Sequence, residues 1–290
     1  MENILDIKNI QTNVPLSNYT TMRVGGMAHF FVQPTKIKYM VKIIKFCLKN
    51  KIKYYILGNG SNVIFSDKGF DGLVICTKKL NKIKIKKNVT AECGCNLYAL
   101  NKKLISYGLS GMEFSYGIPG SVGGAVCMNA GAYGDDMSKV VNKVLVFDGK
   151  KIFKLNNKEI DFSYRNSKIK KNNLIVLKAW LNLKQKNKLS VEEKCIENFK
   201  KRRLTQPYEF PNSGSIFKKV ENISAGKIID DLNLKGLSFG GAQISTLHAN
   251  FIVNANNATA TDVIKLIDTT KKIVKQEKGI DLEEEVIFIP

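Results

Sequence analysis

Tyr116-Gly117-Ile118-Pro119-Gly120-Ser121-Val122-Gly123-Gly124-Ala125 is followed, after Val126-Cys127, by Met128-Asn129-Ala130-Gly131-Ala132-Tyr133-Gly134. Six glycines in these nineteen residues exceed what ordinary turns require. Such density permits positive φ angles and close approach of the backbone to a ligand. A second cluster, Gly58-Asn59-Gly60-Ser61-Asn62, follows the apolar run Tyr54-Tyr55-Ile56-Leu57. That pattern predicts a strand delivering a loop of bare amides suited to an anion. Two such loops in one half of a chain point to a large, phosphate-bearing cofactor.

A dinucleotide fold of the Rossmann kind needs a strand, Gly-x-Gly-x-x-Gly, a helix and then an acidic residue. The Gly58 loop fails that test. It runs into Val63-Ile64-Phe65, a turn at Gly69-Phe70-Asp71-Gly72 and then Leu73-Val74-Ile75, so its glycines join strand to strand. The expected arrangement is a nucleotide cradled by sheet-edge loops whose amides take the pyrophosphate.

At 290 residues and 44% hydrophobic, the chain can bury a substantial core divided among two or three lobes. Met1-Glu2-Asn3-Ile4-Leu5-Asp6 lacks the basic flank and apolar core of a secretory signal. No apolar run reaches the roughly 18 residues of a membrane span, so a cytoplasmic protein without membrane insertion is expected. Six cysteines at 47, 76, 93, 95, 127 and 195 show no framework spacing and read as reduced core thiols. Cys93-Gly94-Cys95 has no second cysteine or histidine pair to complete a metal site, and the only histidines are His29 and His248, so no metal is expected. The net charge of +21 invites a nucleic-acid reading. Its lysines, however, are spread beside Ile and Asn, as in Lys82, Lys84, Lys86 and Lys87, without interleaved stacking aromatics. They fit solvated faces, and no nucleic-acid partner is expected.

The elements are mixed. Pro34-Thr35 opens a helix carrying Ile37, Met40, Val41, Ile44 and Leu48, and Asn96 to Tyr107 reads as a helix closed by Gly108. Val144–Phe147 and Lys151–Leu155 form a hairpin about Asp148-Gly149, and a strand spans 174–183. The polar stretch 184–188 reads as a linker, followed by a helix opened by the capping box Ser190-Val191-Glu192-Glu193. Beyond it come a helix over 225–234, a strand over 249–253, an amphipathic helix over 262–276 and a final strand over 286–289.

Seven ordered stretches carry a resemblance from about residue 15 to 289. They are Asn18 to Gly26, Gly58 to Asn62, Gly117 to Gly134, Ser163-Tyr164-Arg165-Asn166-Ser167, Gly214-Ser215-Ile216-Phe217-Lys218, Ser245 to Asn254 and Leu282-Glu283-Glu284-Glu285-Val286. Together they resemble the UDP-N-acetylenolpyruvoylglucosamine reductases. The resemblance implies an α+β protein: an FAD-binding fold of the vanillyl-alcohol-oxidase type in two subdomains, 1–78 and 79–188, with a substrate-binding domain over 189–290. It implies NADPH-dependent reduction of UDP-N-acetylglucosamine enolpyruvate to UDP-N-acetylmuramate, for peptidoglycan synthesis. The short distance from Arg165 to Gly214 is similar to the shorter family type, without an inserted substrate-capping loop. A monomer is expected.

The family's pattern implies Arg165, Ser215 and Glu285 as catalytic residues. Hydride delivery to the terminal methylene of an enol ether leaves negative charge on the adjacent carbon, spread into the carboxylate. A guanidinium suits that charge, although an arginine here equally fits a surface ion pair or an anchor between lobes. A hydroxyl is a poor acid unless its environment assists, and a turn serine ordinarily caps amides. An acidic triplet ordinarily forms a solvated edge. Cofactor contacts are expected from Gly58, Asn59, Gly60, Ser61, Asn62, Gly117, Ile118, Pro119, Gly120, Ser121, Gly123, Gly124, Ala125, Asn129 and Gly131. Substrate contacts are expected from Tyr164, Lys218, Lys219, Gln243 and His248. Thr205, Lys219-Val220 and Ile287 stand where many members carry Lys, Asn-Pro or Arg-Pro, and Arg, and these departures bear on the UDP contacts. The rivals are another flavin oxidoreductase of the same fold and a noncatalytic basic nucleic-acid-binding protein.

Overall fold

Apolar side chains alternate along Val141–Phe147 and Ile175–Leu181, with Val144, Val146, Leu177 and Ala179 buried. That period of two builds one core face of a five-stranded antiparallel sheet. Its order is Ile152–Asn156, Val141–Phe147, Ile175–Leu181, Val89–Glu92 and Ile83–Ile85. The computed structural model describes residue 4, residues 7–221 and residues 223–290. Apart from Ile4, the amino-terminal hexapeptide read for a leader lies outside the described residues.

The chain forms two compact units: Met1–Gln11, Phe30–Asn59 and Gly72–Arg202 in the first, Thr12–His29, Gly60–Asp71 and Arg203–Pro290 in the second. Each has its own apolar core. In the first unit the Ile37–Lys49 helix buries Met40, Val41, Ile43, Ile44 and Cys47, a stripe at helical spacing. The Leu97–Ser106 helix is capped by Asn96, whose side chain accepts from the amides of Tyr98 (2.9 Å) and Ala99 (3.2 Å). On the opposite sheet face, Lys143, Lys154 and Lys178 place their ammonium groups 5.5–5.9 Å from the Trp180 ring centroid. The lysine excess here covers a half-buried aromatic on a solvated face.

In the second unit, Asn212–Ser215, Phe251–Asn254, Ala242–Ile244 and Ser238–Phe239 form an antiparallel sheet in that order. The Ala225–Asp231 and Ala260–Lys278 helices supply Ile228, Ile229, Val263 and Leu266 to its core. Val63–Phe65 pairs in parallel with the terminal strand Ile287–Ile289. Asp67 then caps the long helix, accepting from the amides of Ala260 (2.7 Å) and Thr261 (2.8 Å), where a carboxylate complements the positive helix end.

Several local expectations are corrected. The stretch 184–188 is no open linker: Lys184–Gln185 pairs with Leu109–Ser110. Its helix begins at Lys188, and Asn187 accepts from the Leu189 amide (2.8 Å), while Ser190 lies inside the helix and donates back to the Asn187 carbonyl. The glycine tract contains a short helix, Val122–Cys127, capped by Ser121.

Candidate active site

The Tyr54–Leu57 strand pairs in parallel with Leu73–Cys76 and ends in the Gly58–Asn62 loop. The amides of Asn59, Gly60, Ser61 and Asn62 donate to no other group among the described residues. Four successive uncommitted N–H groups in a glycine loop form an anion nest. Gly60 has φ +72°, and a Cβ there would overlap the Tyr19 carbonyl oxygen, so only glycine fits.

In the first unit, Asn59 donates through Nδ2 to the Pro119 carbonyl at 2.5 Å, tying the two glycine loops together. The helix that follows turns its own first amides inward. Val122 N–H donates to Cys95 O (2.8 Å) and Gly123 N–H to Cys93 O (2.7 Å), while Gly124 N–H reaches the Ser121 hydroxyl (3.4 Å). Gly120 and Ala125 likewise spend their amides on Ile118 and Ser121 carbonyls. These positions therefore have no N–H donors to spare for a ligand, and a Cβ at Gly123 would press on Cys93 and one at Gly120 on Leu97. The neighbouring thiols of Cys93 and Cys95 are pushed up to about 12, chiefly by burial, which makes them poor nucleophiles. All six cysteines are free.

Asn129 is buried and its side chain is fully engaged. It donates to Asp136 Oδ2 (3.2 Å) and the Ser163 carbonyl (3.1 Å), and accepts from Ser138 N–H (3.0 Å). Its role in the fold is to hold the Ser163–Asn166 turn, closed by reciprocal backbone bonds of 3.0 and 3.1 Å. Arg165 sits at the tip with φ +52°, an uncommon conformation for a side chain of its size. Its guanidinium donates to Gly131 O at 3.3 Å and lies 5.0 Å from the centroid of the half-exposed Tyr164 ring.

In the second unit, Ser215 closes a bulged strand: Asn212 faces Val253 and Ser215 faces Phe251, leaving one extra residue on the Ser215 side. Gly214 takes φ +78° there, and bulges of this kind re-aim a side chain. Asn212 shapes the bulge by accepting from Gly214 N–H at 3.0 Å. The Ser215 hydroxyl has no hydrogen-bond partner among the described residues, so it does not cap amides. The next residues are pinned by buried Asn250, whose side chain accepts from Phe217 N–H and donates to Phe217 O, both at 2.9 Å. Glu285, half-buried, donates its N–H to Ile216 O (2.7 Å), while Asn62 Nδ2 donates to the Glu285 carbonyl (3.0 Å).

Of the remaining candidates in this unit, Lys218 is ion-paired with Glu283, and Lys219 is exposed. Gln243 donates to Ser238 Oγ (3.0 Å) and to Gly236 O (3.3 Å). Burial lowers the His248 pKa below its ordinary value, and its Nδ1 accepts from Asn250 N–H at 3.2 Å, which defines a neutral ring.

Comparison with known proteins decides the family. The FAD binding domain profile matches residues 28–150, and that of the UDP-N-acetylenolpyruvoylglucosamine reductase C-terminal domain matches residues 206–289. The UDP-N-acetylenolpyruvoylglucosamine reductase of Clostridium novyi is 42% identical over 291 residues, covering 100% of this chain and 95% of the relative. That of Lactobacillus helveticus is 44% identical, covering 99% and 98%. The chain belongs to the UDP-N-acetylenolpyruvoylglucosamine reductase family. The crystal structure of the Thermus caldophilus reductase superimposes with a TM-score of 0.84 at 33% identity, over 97% of this chain and 99% of that one.

As a member of this reductase family the chain is an FAD-dependent oxidoreductase with an α+β FAD-binding fold. Its nest of amides at Asn59 to Asn62 fits the diphosphate of FAD, since that donor set serves a compact anion. Among the described residues there is no cluster of His, Cys, Asp and Glu able to hold a metal, and no helix long and apolar enough to cross a membrane. The sequence reading missed Asn250, which pins Phe217, and Thr21, whose hydroxyl donates to Asn212 O at 2.7 Å, as structural partners of the Ser215 strand. An asparagine inside an apolar run, as in Ala249-Asn250-Phe251, was the available signal for the first.

Proposed function

We propose that this chain reduces UDP-N-acetylglucosamine enolpyruvate to UDP-N-acetylmuramate with NADPH as reductant. Full-length kinship to reductases of that name carries the reading, with Arg165, Ser215 and Glu285 all in place. FAD, held at the Asn59 to Asn62 amides, would supply the hydride-transfer chemistry between NADPH and the enolpyruvyl methylene carbon. The chain's own residues handle the rest. Arg165 holds the substrate carboxylate and stabilises the negative charge that spreads into it, the kind of preorganised electrostatic help worth roughly 3–4 kcal/mol per donor. The Ser215 hydroxyl delivers the proton to the adjacent carbon; having no hydrogen-bond partner among the described residues supports that role, because it is not committed to a turn. Glu285 polarises the developing enolate or orients the acid. Asn59 to Asn62 take the cofactor diphosphate, and the 117–131 tract packs against the rest of it. Tyr164, Lys218, Lys219, Gln243 and His248 serve the sugar nucleotide.

The same reading assigns FAD binding to residues 1–78 and 79–188 and substrate binding to 189–290, in a monomeric cytoplasmic enzyme. One anaerobic experiment tests it. The purified flavoprotein is reduced with one equivalent of NADPH, and the enolpyruvyl sugar is then added while flavin absorption is followed. Bleaching, then recovery with formation of UDP-N-acetylmuramate, is expected. Bleaching without recovery points to a flavoenzyme with another acceptor.

A further inference from the structure

We propose that Thr21 and Asn62 are positioning residues that align the Ser215 strand and the Glu285 peptide from the Gly60–Asn62 loop. The inference rests on the roles proposed above for Ser215 and Glu285. Thr21 donates its N–H to Gly60 O at 3.0 Å and its hydroxyl to Asn212 O at 2.7 Å, bridging 191 positions of sequence. Asn212 opens the strand of Ser215 and sets its bulge through Gly214 N–H. At the other end of the loop, Asn62 donates to Glu285 O at 3.0 Å and accepts from Ile287 N–H at 3.0 Å. Glu285 N–H in turn bonds Ile216 O, beside Ser215. A ring of hydrogen bonds therefore runs from the loop to Asn212, along the bulged strand to Ile216, across to Glu285 and back to Asn62.

The ring has physical consequences because two of its links are single side chains. Removing one such bond shifts the local ordering equilibrium by roughly fivefold, corresponding to about 1 kcal/mol. A misplacement of about 1 Å at a reacting group slows chemistry by roughly 100-fold. The loop amides are themselves uncommitted among the described residues, so an anion held by them stiffens Gly60, which anchors Thr21, and Asn62, which holds Glu285.

The test compares Thr21→Val, which keeps the shape and loses the hydroxyl, with Thr21→Ser, which keeps the hydroxyl, and with Asn62→Asp, which loses the donor. Amide hydrogen exchange on protein without added FAD should show peptides over 212–218 exchanging about fivefold faster in Thr21→Val, with peptides over 141–147 unchanged. In the Thr21→Val holoenzyme, bleaching by NADPH should stay within about twofold of wild type. Recovery with the enolpyruvyl sugar should slow about tenfold or more in Thr21→Val and Asn62→Asp, with a larger solvent isotope effect, and Thr21→Ser should restore it. Should Thr21→Val not fold, amide exchange about fivefold faster over 282–287 in Asn62→Ala reads the other arm of the ring, and unchanged exchange there overturns it. Wild-type recovery, or equal slowing of both half-reactions, overturns the positioning role. Ser215→Ala is the control: if it recovers normally, the reading of Ser215 falls and the positioning role falls with it. A dead Ser215→Ala beside a normal Thr21→Val removes the positioning role alone.

Discussion

The backbone N–H of Glu285 donates to the carbonyl oxygen of Ile216 at 2.7 Å, one residue beyond Ser215. Two residues separated by seventy positions thus share one hydrogen-bonded junction, reinforced by Lys218 N–H to Glu283 O at 2.8 Å. The bond is made by main chain, so it fixes where the Glu285 side chain begins. The same holds for Ser215, whose strand is anchored through Asn212, Ile216 and Phe217 while its hydroxyl stays uncommitted. A rigid backbone that presents a hydroxyl not bonded elsewhere among the described residues suits proton transfer at a defined carbon.

Arg165→Ala should leave NADPH bleaching of the flavin intact and slow recovery with the enolpyruvyl sugar by roughly 1,000-fold, the scale for a lost transition-state donor. Arg165→Lys should not restore it, because an ammonium cannot reproduce a planar fork over the Tyr164 ring and the Gly131 carbonyl. Single-turnover absorbance measures both. Recovery at the wild-type rate in Arg165→Ala would remove the arginine from the chemistry.

Asn250→Ala should destabilise the second unit by about 2–4 kcal/mol. The substitution orphans both the N–H and the C=O of the buried Phe217 peptide, and each unsatisfied group carries a desolvation penalty of about 1–3 kcal/mol. Urea denaturation followed by fluorescence checks this, and a change below about 0.5 kcal/mol would show that water satisfies the peptide instead.

Much of the scaffold was legible from local pattern. The Asp148-Gly149 turn marks the hairpin of Val144–Phe147 with Lys151–Leu155, which the structure extends to Val141–Phe147 and Ile152–Asn156; helical spacing marks Ile37–Lys49, and the Gly58 loop reads as joining strand to strand, against a Rossmann fold. What escaped depended on partners distant in sequence. The Val122–Cys127 helix sits in a glycine-rich run with poor helix propensity and forms because Cys93 and Cys95 carbonyls take its first amides. Asn187 took the cap expected of Ser190. Asp67 caps a helix that starts 193 positions later. The Asn129 side chain holds the Arg165 turn through Ser163 O, a bond across 34 positions that no local pattern announces. No spacing rule announces such bonds, since tertiary packing selects them.

Ser213→Ala should be neutral or stabilising, by up to about 1 kcal/mol. Its hydroxyl is buried beside the Gly214 bulge without a hydrogen-bond partner among the described residues, and removing an orphaned polar group recovers its desolvation penalty. Thermal melting decides the matter; a fall in Tm of more than about 3 °C would mean that the hydroxyl has a partner in solution.

His248 should make the protein less stable as pH falls below about 6.5, the ordinary value of a histidine. Burial is the main cause of its lowered pKa; Lys235 lowers it further, while Asp230 opposes the shift. The neutral ring is the folded form, with Nδ1 accepting the Asn250 N–H, and protonation breaks that bond. Because the unfolded state takes up the proton first, the stabilisation is fully present above the unfolded value and is lost as pH drops through the folded one. Melting curves of wild type and His248→Gln at pH 7.5 and pH 5.5 isolate the contribution from that of the carboxylates. The gap between the two proteins should narrow at the lower pH, and parallel declines would show that His248 does not govern the acid limb.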